Sequence, residues 1–333
     1  MIDENVSAQP AVTQIVSVDI GGTHARFAIA TIEQNGAITL GEVETLHTCD
    51  HASFQTAWQD FRSRRGGVLP RAVAIAIAGP VGGEVIRFTN NPWIIRPALV
   101  REKLDVDRFT IVNDFEAVGH AVARADADHL LPLAGPDVPL PREGAITVIG
   151  PGTGLGVAIL LRHAGGYHVQ ATEGGHIDFA PRDTIEDAIL TRLRQRHRRV
   201  SVERVVSGPA IIDLYQTLAS LESRPILERG DVEIWTAGTD GSDSLAAAAV
   251  DRFCMALGSA AGDLALAHGA VGVVVAGGLG YRIRDVLTKS GFAERFAAKG
   301  RFAGLMANLP VKLIVHPQPG LFGAAAAFAQ EHT

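Results

Sequence analysis

The sequence predicts an α/β fold with two domains, and three observations support this prediction. The chain has 333 residues, and at about 150 residues per domain it can form two hydrophobic cores. Short runs of β-branched and apolar residues alternate with longer helical patterns, as they do in α/β domains. Glycine is abundant, with 36 residues, and clusters after predicted strands without a collagen-like period. Some loops after predicted strands therefore require residues without a side chain.

Composition and charge exclude several classes of protein. The 36 Asp and Glu residues outnumber the 30 Lys and Arg residues, so the net charge is −6 and a nucleic-acid partner is not expected. The two cysteines, Cys49 and Cys254, lie far apart and form neither a disulfide framework nor a zinc motif. These features predict a protein of the reducing cytoplasm.

The hydropathy pattern predicts neither export nor a membrane span. The first ten residues are acidic and polar, unlike the start of a signal peptide. The most apolar stretch, residues 264–281, contains five glycines and is interpreted as a helix end followed by a buried strand. No membrane partner is therefore expected.

The first half of the chain is predicted to form a sheet around a glycine loop. A β-branched strand runs into the loop 21–23 (GGT), and the strand pattern resumes directly after it. The Asn35-Gly36 pair predicts a hairpin that leads into a third strand. The predicted strands are 15–20, the segment after the loop, 38–46, 72–78 and 108–112.

The second half opens with a repeat of the first. With an offset of 130 residues, Gly22-Thr23 aligns with Gly152-Thr153, and in both halves strands flank the glycine loop. This self-similarity predicts a duplicated strand-loop-strand unit. Residues 126–143, rich in Pro, Asp and Leu, are predicted to link the two halves. The remaining predicted elements are helices at 184–198, 209–220 and 243–268, strands at 271–278 and 311–316, and a terminal helix from Gly320.

Both glycine loops, residues 19–23 (DIGGT) and 150–154 (GPGTG), are candidates for phosphate binding. Glycine lets backbone N–H groups approach an anion, and the threonine hydroxyl adds a donor. A tight hairpin between buried strands also needs glycine, so either loop alone is open to that interpretation. Because both loops follow a strand and both carry Gly-Thr, together they favour phosphate binding. Neither loop matches a Walker motif or a Rossmann GxGxxG.

Polar residues and glycines at other strand ends supply further candidates. Asp19, before the first loop, could hold a hydrated magnesium ion or cap the turn through its own side chain. Asp114, after the strand 108–112, could accept a proton or serve as a helix N-cap. Gly277 and Gly278 follow a buried strand, where α/β sheets bind ligands, although helix packing also explains glycine there.

A polar cluster, EGGHID, occurs at residues 173–178. Glu173, His176 and Asp178 offer charged acceptors and an imidazole, which suit hydrogen bonds to a polyol. A metal site is not favoured, because neither a cysteine cluster nor a second closely spaced histidine accompanies them. The basic stretch 191–204 is interpreted as a solvated helix face.

Taken in order, these motifs resemble those of the bacterial glucokinases. Between residues 15 and 330 the family order is kept by DIGGTHAR, TNNPW, IVNDFEAVG, GPGTGLGVA, EGGHIDFAP, ERVVSGP, AGGLG and PGLFGAAAA. The words EGGHIDFAP and ERVVSGP separate this group from the wider superfamily of sugar kinases, actin and heat-shock ATPases. The resemblance implies a sugar kinase that transfers phosphate from ATP to glucose, giving glucose 6-phosphate at the entry to glycolysis. The implied cofactors are ATP and Mg²⁺.

The resemblance also implies a fold. This fold has two ribonuclease-H-like α/β domains of the actin and hexokinase type, with the active site in the cleft between them. The small domain would comprise residues 1–124 and 317–333, and the large domain residues 125–316. Glucose and ATP are the implied partners, whereas a homodimer, the strictness of sugar specificity and any allosteric control are left open.

The roles of individual residues are implied by the same motifs. Asp114 is the implied catalytic base on the sugar 6-hydroxyl, and Asp19 is the implied magnesium ligand. Sugar hydroxyls would be bound by Asn90, Asn113, Asp114, Glu173, His176 and Glu203. The nucleotide would be bound by Asp19, Gly21, Gly22, Thr23, Gly152, Thr153, Gly154, Gly277 and Gly278. His24 departs from the family pattern, which has asparagine there, and an imidazole beside phosphates could make ATP affinity depend on pH.

Other functions are open on the same scaffold. A kinase for N-acetylglucosamine, another N-acetylated hexose or mannose is the nearest, although that branch carries a cysteine-rich zinc loop that this sequence lacks. A sugar-sensing regulator would need a DNA-binding module, and only about fourteen residues precede the first strand. A structural ATP-binding module would leave EGGH and Asp114 without a role. The phosphoryl donor is also open, with ATP set against polyphosphate or ADP.

Overall fold

The computed structural model of the chain describes residues 12–88, 91–226 and 228–332. The chain divides into two compact units. The first unit runs up to Arg124 and resumes at Pro317, whereas the second runs from Ala125 to His316. The N-terminal unit is therefore completed by the C-terminal segment of the chain.

The helices and strands follow one another along the chain in three stretches. The first unit begins with β1 (Thr13–Ile20), β2 (His24–Ile32), β3 (Ile38–Leu40), β4 (Glu44–His47), α1 (Phe54–Arg64), β5 (Ala72–Ile77), β6 (Ile86–Arg87), β7 (Ile94–Ile95), α2 (Val100–Leu104), β8 (Arg108–Asn113) and α3 (Asp114–Arg124). The second unit contains β9 (Leu130–Ala134), β10 (Gly144–Pro151), β11 (Leu155–His163), β12 (Gly166–Thr172), α4 (Thr184–Arg194), α5 (Ile211–Leu221), α6 (Asp231–Asp240), α7 (Ser244–His268), β13 (Gly272–Val275), α8 (Gly277–Arg282), α9 (Arg284–Leu287), α10 (Phe292–Ala297), α11 (Ala303–Ala307) and β14 (Val311–Ile314). The chain then returns to the first unit as α12 (Pro319–His332).

The main sheet of the first unit has the strand order β3-β2-β1-β5-β8, with β4 also paired to β2. Strands β1, β2 and β3 form an antiparallel meander. Strands β5 and β8 then add in parallel, so they need crossover connections, and these contain α1 and α2.

The main sheet of the second unit has the same plan, with the order β12-β11-β10-β13-β14 and β9 at the edge. Here β10, β11 and β12 form the antiparallel meander, and β13 and β14 pair in parallel. The duplicated strand-loop-strand unit predicted from the sequence is thus confirmed as β1-β2 and β10-β11. The two turns differ in length by one residue. Ile20 pairs with Ala25 across the first turn, and Pro151 pairs with Leu155 across the second.

Both faces of the first sheet are buried. On one face, Phe27 and Ile75 pack against aromatic residues of α1 such as Trp58. On the other face, the sheet is covered by small residues of α3 and α12, including Ala117 and Ala325. Alanine-rich helices can approach a sheet closely, which explains the composition of the terminal helix.

Helix α7 is long and apolar enough to cross a membrane, and it is the one helix with that property in the part of the chain described. Most of its apolar surface is buried in the core of the second unit, where Phe253 and Leu257 have no exposed area. Gly269, with φ of 59°, ends the helix, and β13 follows. The interpretation of residues 264–281 as a helix end followed by a buried strand is therefore confirmed.

Two predictions about strands and linkers need correction. The third strand predicted over 38–46 is present as two strands, β3 and β4, which both pair antiparallel with β2. Three residues separate Leu40 from Glu44, whereas two residues separate their partners on β2, so one extra residue interrupts the strand. The linker predicted over 126–143 contains β9, which pairs antiparallel with β14. Strand β9 lies at the sheet edge, where Pro132 can be accommodated.

Helices α3 and α12 approach each other closely at Gly323. A Cβ on Gly323 would lie 1.7 Å from the carbonyl oxygen of Ala117, so a side chain would force the helices apart. We expect Gly323→Ala to lower the free energy of unfolding by about 1–3 kcal/mol. Urea unfolding measures this change. The control is Gly304→Ala on α11, where an added Cβ meets no atom within 4 Å, and equal stability of the two variants would contradict the prediction.

Candidate functional site

The carboxyl ends of three parallel strands meet at one edge of the first sheet. Ile20 pairs with Ile77, and Ile77 pairs with Asn113, so the three residues form one row. The first glycine loop follows β1 at this row, and Asp114 follows β8. Because α/β sheets bind ligands beyond the carboxyl ends of their strands, this edge is the candidate site of the first unit.

The first glycine loop is a tight turn braced by the residues that follow β4. Gly21 N–H donates to the His24 carbonyl at 2.9 Å and closes the turn. Thr48 donates its hydroxyl to the Gly22 carbonyl at 2.8 Å and its N–H to the Thr23 carbonyl at 3.0 Å. The shape of the loop is thus fixed by Thr48, while the Thr23 side chain is exposed.

Asp19 lies on β1 beside this loop, and its side chain is largely buried. Its Oδ2 is 3.2 Å from Nη1 of Arg26, the residue directly opposite on β2. Gly320, at the start of α12, is so close that a Cβ there would lie 2.7 Å from the same oxygen. Burial raises the pKa of the Asp19 carboxyl above its usual range, and the Arg26 guanidinium opposes that rise. Asp19 is therefore a desolvated carboxylate held between a cation and a helix backbone.

The side chains of Asn113 and Asp114 both bond to the first turn of α3. Asn113 is the N-cap of α3, because its Oδ1 accepts from the N–H groups of Phe115 at 2.8 Å and Glu116 at 3.2 Å. Its amide also donates to the Gly79 carbonyl at 3.1 Å, which ties the loop after β5 to the helix. Asp114 is the first residue of α3 and is half-buried. Asp114 Oδ1 also accepts from Phe115 N–H at 2.9 Å, whereas the Glu116 N–H bonds to Asn113. Asn113 therefore provides the larger part of the cap, and the role of Asp114 as a proton acceptor stays a prediction.

The second sheet has a corresponding edge. Ile149 pairs with Val275, and Val275 pairs with Leu313, so the carboxyl ends of β10, β13 and β14 are aligned. The second glycine loop follows β10 at this edge, and the start of α8 follows β13. The two predicted nucleotide-binding segments of the second unit are therefore neighbours.

The glycines at this edge are of two kinds. Gly277 has φ of 84°, and a Cβ on it would lie 2.6 Å from the Pro151 carbonyl oxygen, so packing requires glycine there. Gly152 and Gly278 have no atom within 4 Å of an added Cβ. Packing against the described residues does not explain these two glycines, whereas the approach of a ligand to bare backbone would.

Glu203 braces the second glycine loop. Its Oε2 accepts from Leu155 N–H at 2.9 Å, and a Cβ on Gly154 would lie 2.5 Å from that oxygen. In the same segment, Gly208 N–H donates to the Gly152 carbonyl at 2.7 Å. The segment ERVVSGP therefore fixes the loop at two points, one through a carboxylate and one through backbone.

The EGGH turn packs on the start of β11 beside the same loop. A Cβ on Gly175 would lie 2.2 Å from the Leu155 carbonyl oxygen, so only glycine fits. Val202 N–H donates to the Ile177 carbonyl at 2.9 Å and joins the EGGH segment to the segment that carries Glu203. Three motifs that are far apart in sequence thus meet at one place in the second unit.

The side chains of Glu173 and His176 lie at the surface of this cluster. His176 Nε2 is 3.8 Å from Glu173 Oε2, and the two side chains are 53% and 77% exposed, in that order. Asp178, the third polar residue of the motif, pairs instead with Arg199 at 2.6 Å. Glu173 and His176 together offer acceptors and a donor suited to sugar hydroxyls.

The predicted site residues fall into two groups, one in each unit. The first group contains Asp19, Gly21, Gly22, Thr23, Asn113 and Asp114. The second group contains Gly152, Thr153, Gly154, Glu173, His176, Glu203, Gly277 and Gly278. Asn90 lies outside the described residues.

Sequence reasoning missed three residues that shape the first group. Arg26 and Gly320 belong to the motifs DIGGTHAR and PGLFGAAAA, but their contacts with Asp19 depend on tertiary structure. Thr48 belongs to no motif, and only its hydrogen bonds to the first loop identify it. Arg26 alone of the three has a local signal in the sequence. Its spacing from Asp19 places the two residues opposite each other in a hairpin.

Comparison with known proteins assigns the chain to a family. The glucokinase family profile matches residues 16–331. A glucokinase of Zymomonas mobilis is 55% identical over 320 residues, which cover 96% of this chain and 99% of that protein. The structure of a glucokinase from an Antarctic psychrotroph has a TM-score of 0.84 at 32% identity and covers 95% of this chain and 99% of that one. A ROK-family glucokinase from Streptomyces griseus, solved with glucose and AMPPNP, has a TM-score of 0.61 at 20% identity, with coverage of 95% and 99%. The family profile and the Zymomonas relative together show that this chain belongs to the glucokinase family.

Proposed function

We propose that this chain phosphorylates the 6-hydroxyl of glucose with ATP. The observation that carries the proposal is its 55% identity to the Zymomonas mobilis glucokinase over 96% of the chain. The family match over residues 16–331 also spans every predicted site residue. Phosphoryl transfer needs positioning and charge neutralisation more than covalent chemistry, and the two groups of residues are suited to both.

Asp114 is the proposed catalytic base. It would accept the proton of the sugar 6-hydroxyl as that oxygen bonds to the γ-phosphorus and the bond from this phosphorus to the departing ADP oxygen breaks. The first turn of α3 carries partial positive charge, which stabilises a carboxylate at this position. Because Asn113 caps the helix, the base is held by a rigid element.

The sugar is proposed to bind to polar groups of both units. Glu173 and His176 would bond to its hydroxyls from the EGGH turn, and Asn113 and Asn90 from the first unit. Glu203 would contribute Oε1, since its other oxygen bonds to the second glycine loop. Charged acceptors beside amide and imidazole donors match a ligand with a hydroxyl on nearly every carbon.

The phosphates of the nucleotide are proposed to bind to the backbone of the two glycine loops. The space beside Gly152 and Gly278, which a Cβ would fill, supports a ligand at these positions. Thr23 and Thr153 are exposed and would add hydroxyl donors. The AMPPNP complex of the Streptomyces griseus relative supports ATP as the phosphoryl donor.

Asp19 is proposed to hold Mg²⁺ together with the phosphates. In the described ranges, no group of three or more His, Cys, Asp or Glu side chains comes together as a metal site. Magnesium is commonly bound by one or two carboxylates, several waters and the substrate phosphates, so one carboxylate suits it. The desolvated Asp19 fits this role, because a buried charge interacts more strongly with a cation than an exposed one. Bound magnesium would neutralise charge on the transferred group.

The two units are proposed to be the two domains of the enzyme, residues 1–124 with 317–333 and residues 125–316. Their shared strand order, a three-strand antiparallel meander followed by parallel strands, supports two ribonuclease-H-like domains. The first domain supplies the base and the magnesium ligand, and the second supplies the EGGH turn and the second glycine loop.

A coupled assay across sugars and donors tests the proposed function. With ATP, we expect kcat/KM for glucose to exceed that for N-acetylglucosamine by about 10²-fold or more, because hydroxyl-binding groups left unpaired cost more than a lost methylene contact. Polyphosphate and ADP serve as alternative donors in the same assay. If N-acetylglucosamine or N-acetylmannosamine matches glucose, the chain is a kinase of N-acetylated hexoses instead.

A further inference from the structure

Two histidines face each other beside the first glycine loop. His24 directly follows the loop, and His47 lies opposite it in the pairing of β2 with β4. Their ring centroids are 4.7 Å apart, with 46° between the ring planes. Apart from this ring contact, neither imidazole has a hydrogen bond or ion pair with another described residue. The loop and the pair are joined through the neighbouring Thr48, which donates to the Gly22 and Thr23 carbonyls.

The charged groups around this pair come from β1, β2, β4 and the turn after β4. Arg26 and Asp19 lie on the same face of the sheet as His24 and pair with each other. Glu44 lies on the opposite face of β4, where Arg65 binds its carboxylate at 2.8 Å. Asp50 is exposed in the turn after β4, and the first turn of α12 carries no titratable side chain. Among the described residues, no carboxylate is hydrogen-bonded or ion-paired with either imidazole, so neither ring has a direct counter-charge.

We infer that His24 and His47 form a proton-linked clamp for the phosphates of the nucleotide. The inference rests on the proposed function, because it needs ATP at the first glycine loop. Two imidazolium rings at this separation repel each other, and the nearby Arg26 adds to the repulsion. A phosphate chain at the loop supplies the missing negative charge and makes protonation of the pair favourable. Nucleotide binding therefore takes up protons, and protons in turn strengthen nucleotide binding.

Calorimetry measures this proton uptake directly. The full chain is titrated with ATP and excess Mg²⁺ at pH 7, without glucose, in two buffers that differ in ionisation enthalpy. We expect proton uptake with the unsubstituted chain and a smaller uptake with His24→Asn and with His47→Asn. The matched control is His168→Asn, an exposed histidine on β12 outside both groups of site residues, which should behave as the unsubstituted chain does. The titration of the nucleotide itself is common to all four proteins and cancels in the comparison.

The pH dependence of nucleotide affinity gives a second readout. Because protonation of the pair favours nucleotide binding, the dissociation constant for ATP should increase by about three- to tenfold between pH 6 and pH 8. The increase should be smaller in His24→Asn and in His47→Asn. An equal pH dependence in all four proteins overturns the inference.

The possible outcomes separate the inference from the proposed function. ATP binding with equal proton uptake in all four proteins overturns the clamp and leaves the proposed function standing, whereas no ATP binding at all overturns both. If a variant folds poorly, the histidine resonances of the unsubstituted chain decide the question by NMR. Two of them must move toward imidazolium positions when Mg²⁺ and ATP are added at pH 7, and unchanged resonances overturn the clamp.

Discussion

Replacing Asp114 by asparagine is expected to lower kcat by about 10²- to 10⁴-fold. The amide has the size of the carboxylate but cannot accept the proton of the attacking hydroxyl. The fold should be retained, because the side chain of Asn113 caps α3. Steady-state kinetics measure the loss, which should appear in kcat with little change in the KM for glucose.

Asp107→Asn is the control for this experiment. Asp107 precedes β8, whereas Asp114 follows it, so the control removes the same charge at the opposite end of one strand. Asp107 is exposed and pairs with Arg71 at 2.7 Å on the surface, so kcat should be unchanged. A kcat of Asp114→Asn within about threefold of the unsubstituted chain would refute the assignment of the base.

Replacing Asp19 by asparagine is expected to change activity and stability in opposite directions. We expect kcat to fall by about 10²-fold or more and the magnesium requirement to rise, because the anionic ligand is lost. The free energy of unfolding at pH 7 should increase, since burial disfavours the charged form of Asp19. Asparagine has a similar volume, so it keeps the close packing against Gly320.

The pH dependence of stability tests the sign of this effect. Burial raises the pKa of Asp19 in the folded state, so the folded protein binds the proton of this carboxyl more tightly than the unfolded chain does. The ionised carboxylate therefore destabilises the fold above the folded pKa, and its effect disappears below the ordinary value of 3.8. The stability difference between Asp19→Asn and the unsubstituted chain should widen as pH rises from about 4 to 7.

Asp60→Asn is a control that should change the stability of the fold in the opposite direction. The Arg64 side chain lowers the pKa of Asp60, so the ionised carboxylate stabilises the fold at neutral pH, and this contribution is lost as pH falls through the folded pKa. Its replacement should therefore lower the Tm at pH 7. Thermal unfolding of both variants from pH 4 to pH 8 makes the comparison. A lower Tm for Asp19→Asn than for the unsubstituted chain at pH 7 would contradict the account of Asp19.

The glycine loops and the strands beside them could be predicted from the sequence because their signals are local. A β-branched run that stops at Gly-Thr and then resumes is enough to predict β1-β2 and β10-β11. The gathering of Asp114 with the first loop at one sheet edge follows from a general rule of parallel strands. Local pattern and sheet geometry thus locate the first group of site residues.

Strand β9 could not be predicted in this way. Pro132 argues locally against a strand, and the segment 126–143 has the composition of a linker. What stabilises β9 is pairing with β14, an element far away along the chain. Edge strands of this kind are decided by a distant partner, so sequence patterning alone misses them.

Residue roles were harder to predict than residue positions. Asn113 and Asp114 are both suitable N-caps, and both accept from Phe115 N–H, so the hydrogen bond from Glu116 N–H to Asn113 distinguishes them. Gly320 lies beside Asp19 because α12 returns to the first unit, and no spacing rule indicates that neighbour. The environment of Asp19, and hence its expected effect on stability, is available only from the folded structure.

The return of α12 to the first unit sets the order in which the chain can mature during synthesis. Residues 125–316 must be translated before this helix exists, which takes about 10 to 40 seconds at about 5 to 20 residues per second. Throughout that interval the sheet face that includes Ile15, Ala30 and Ala76 lacks α12, one of the two helices that cover it. Most of the first unit is therefore translated early, but its fold is completed last. Until then the nascent unit exposes an apolar surface that chaperones or neighbouring chains can bind.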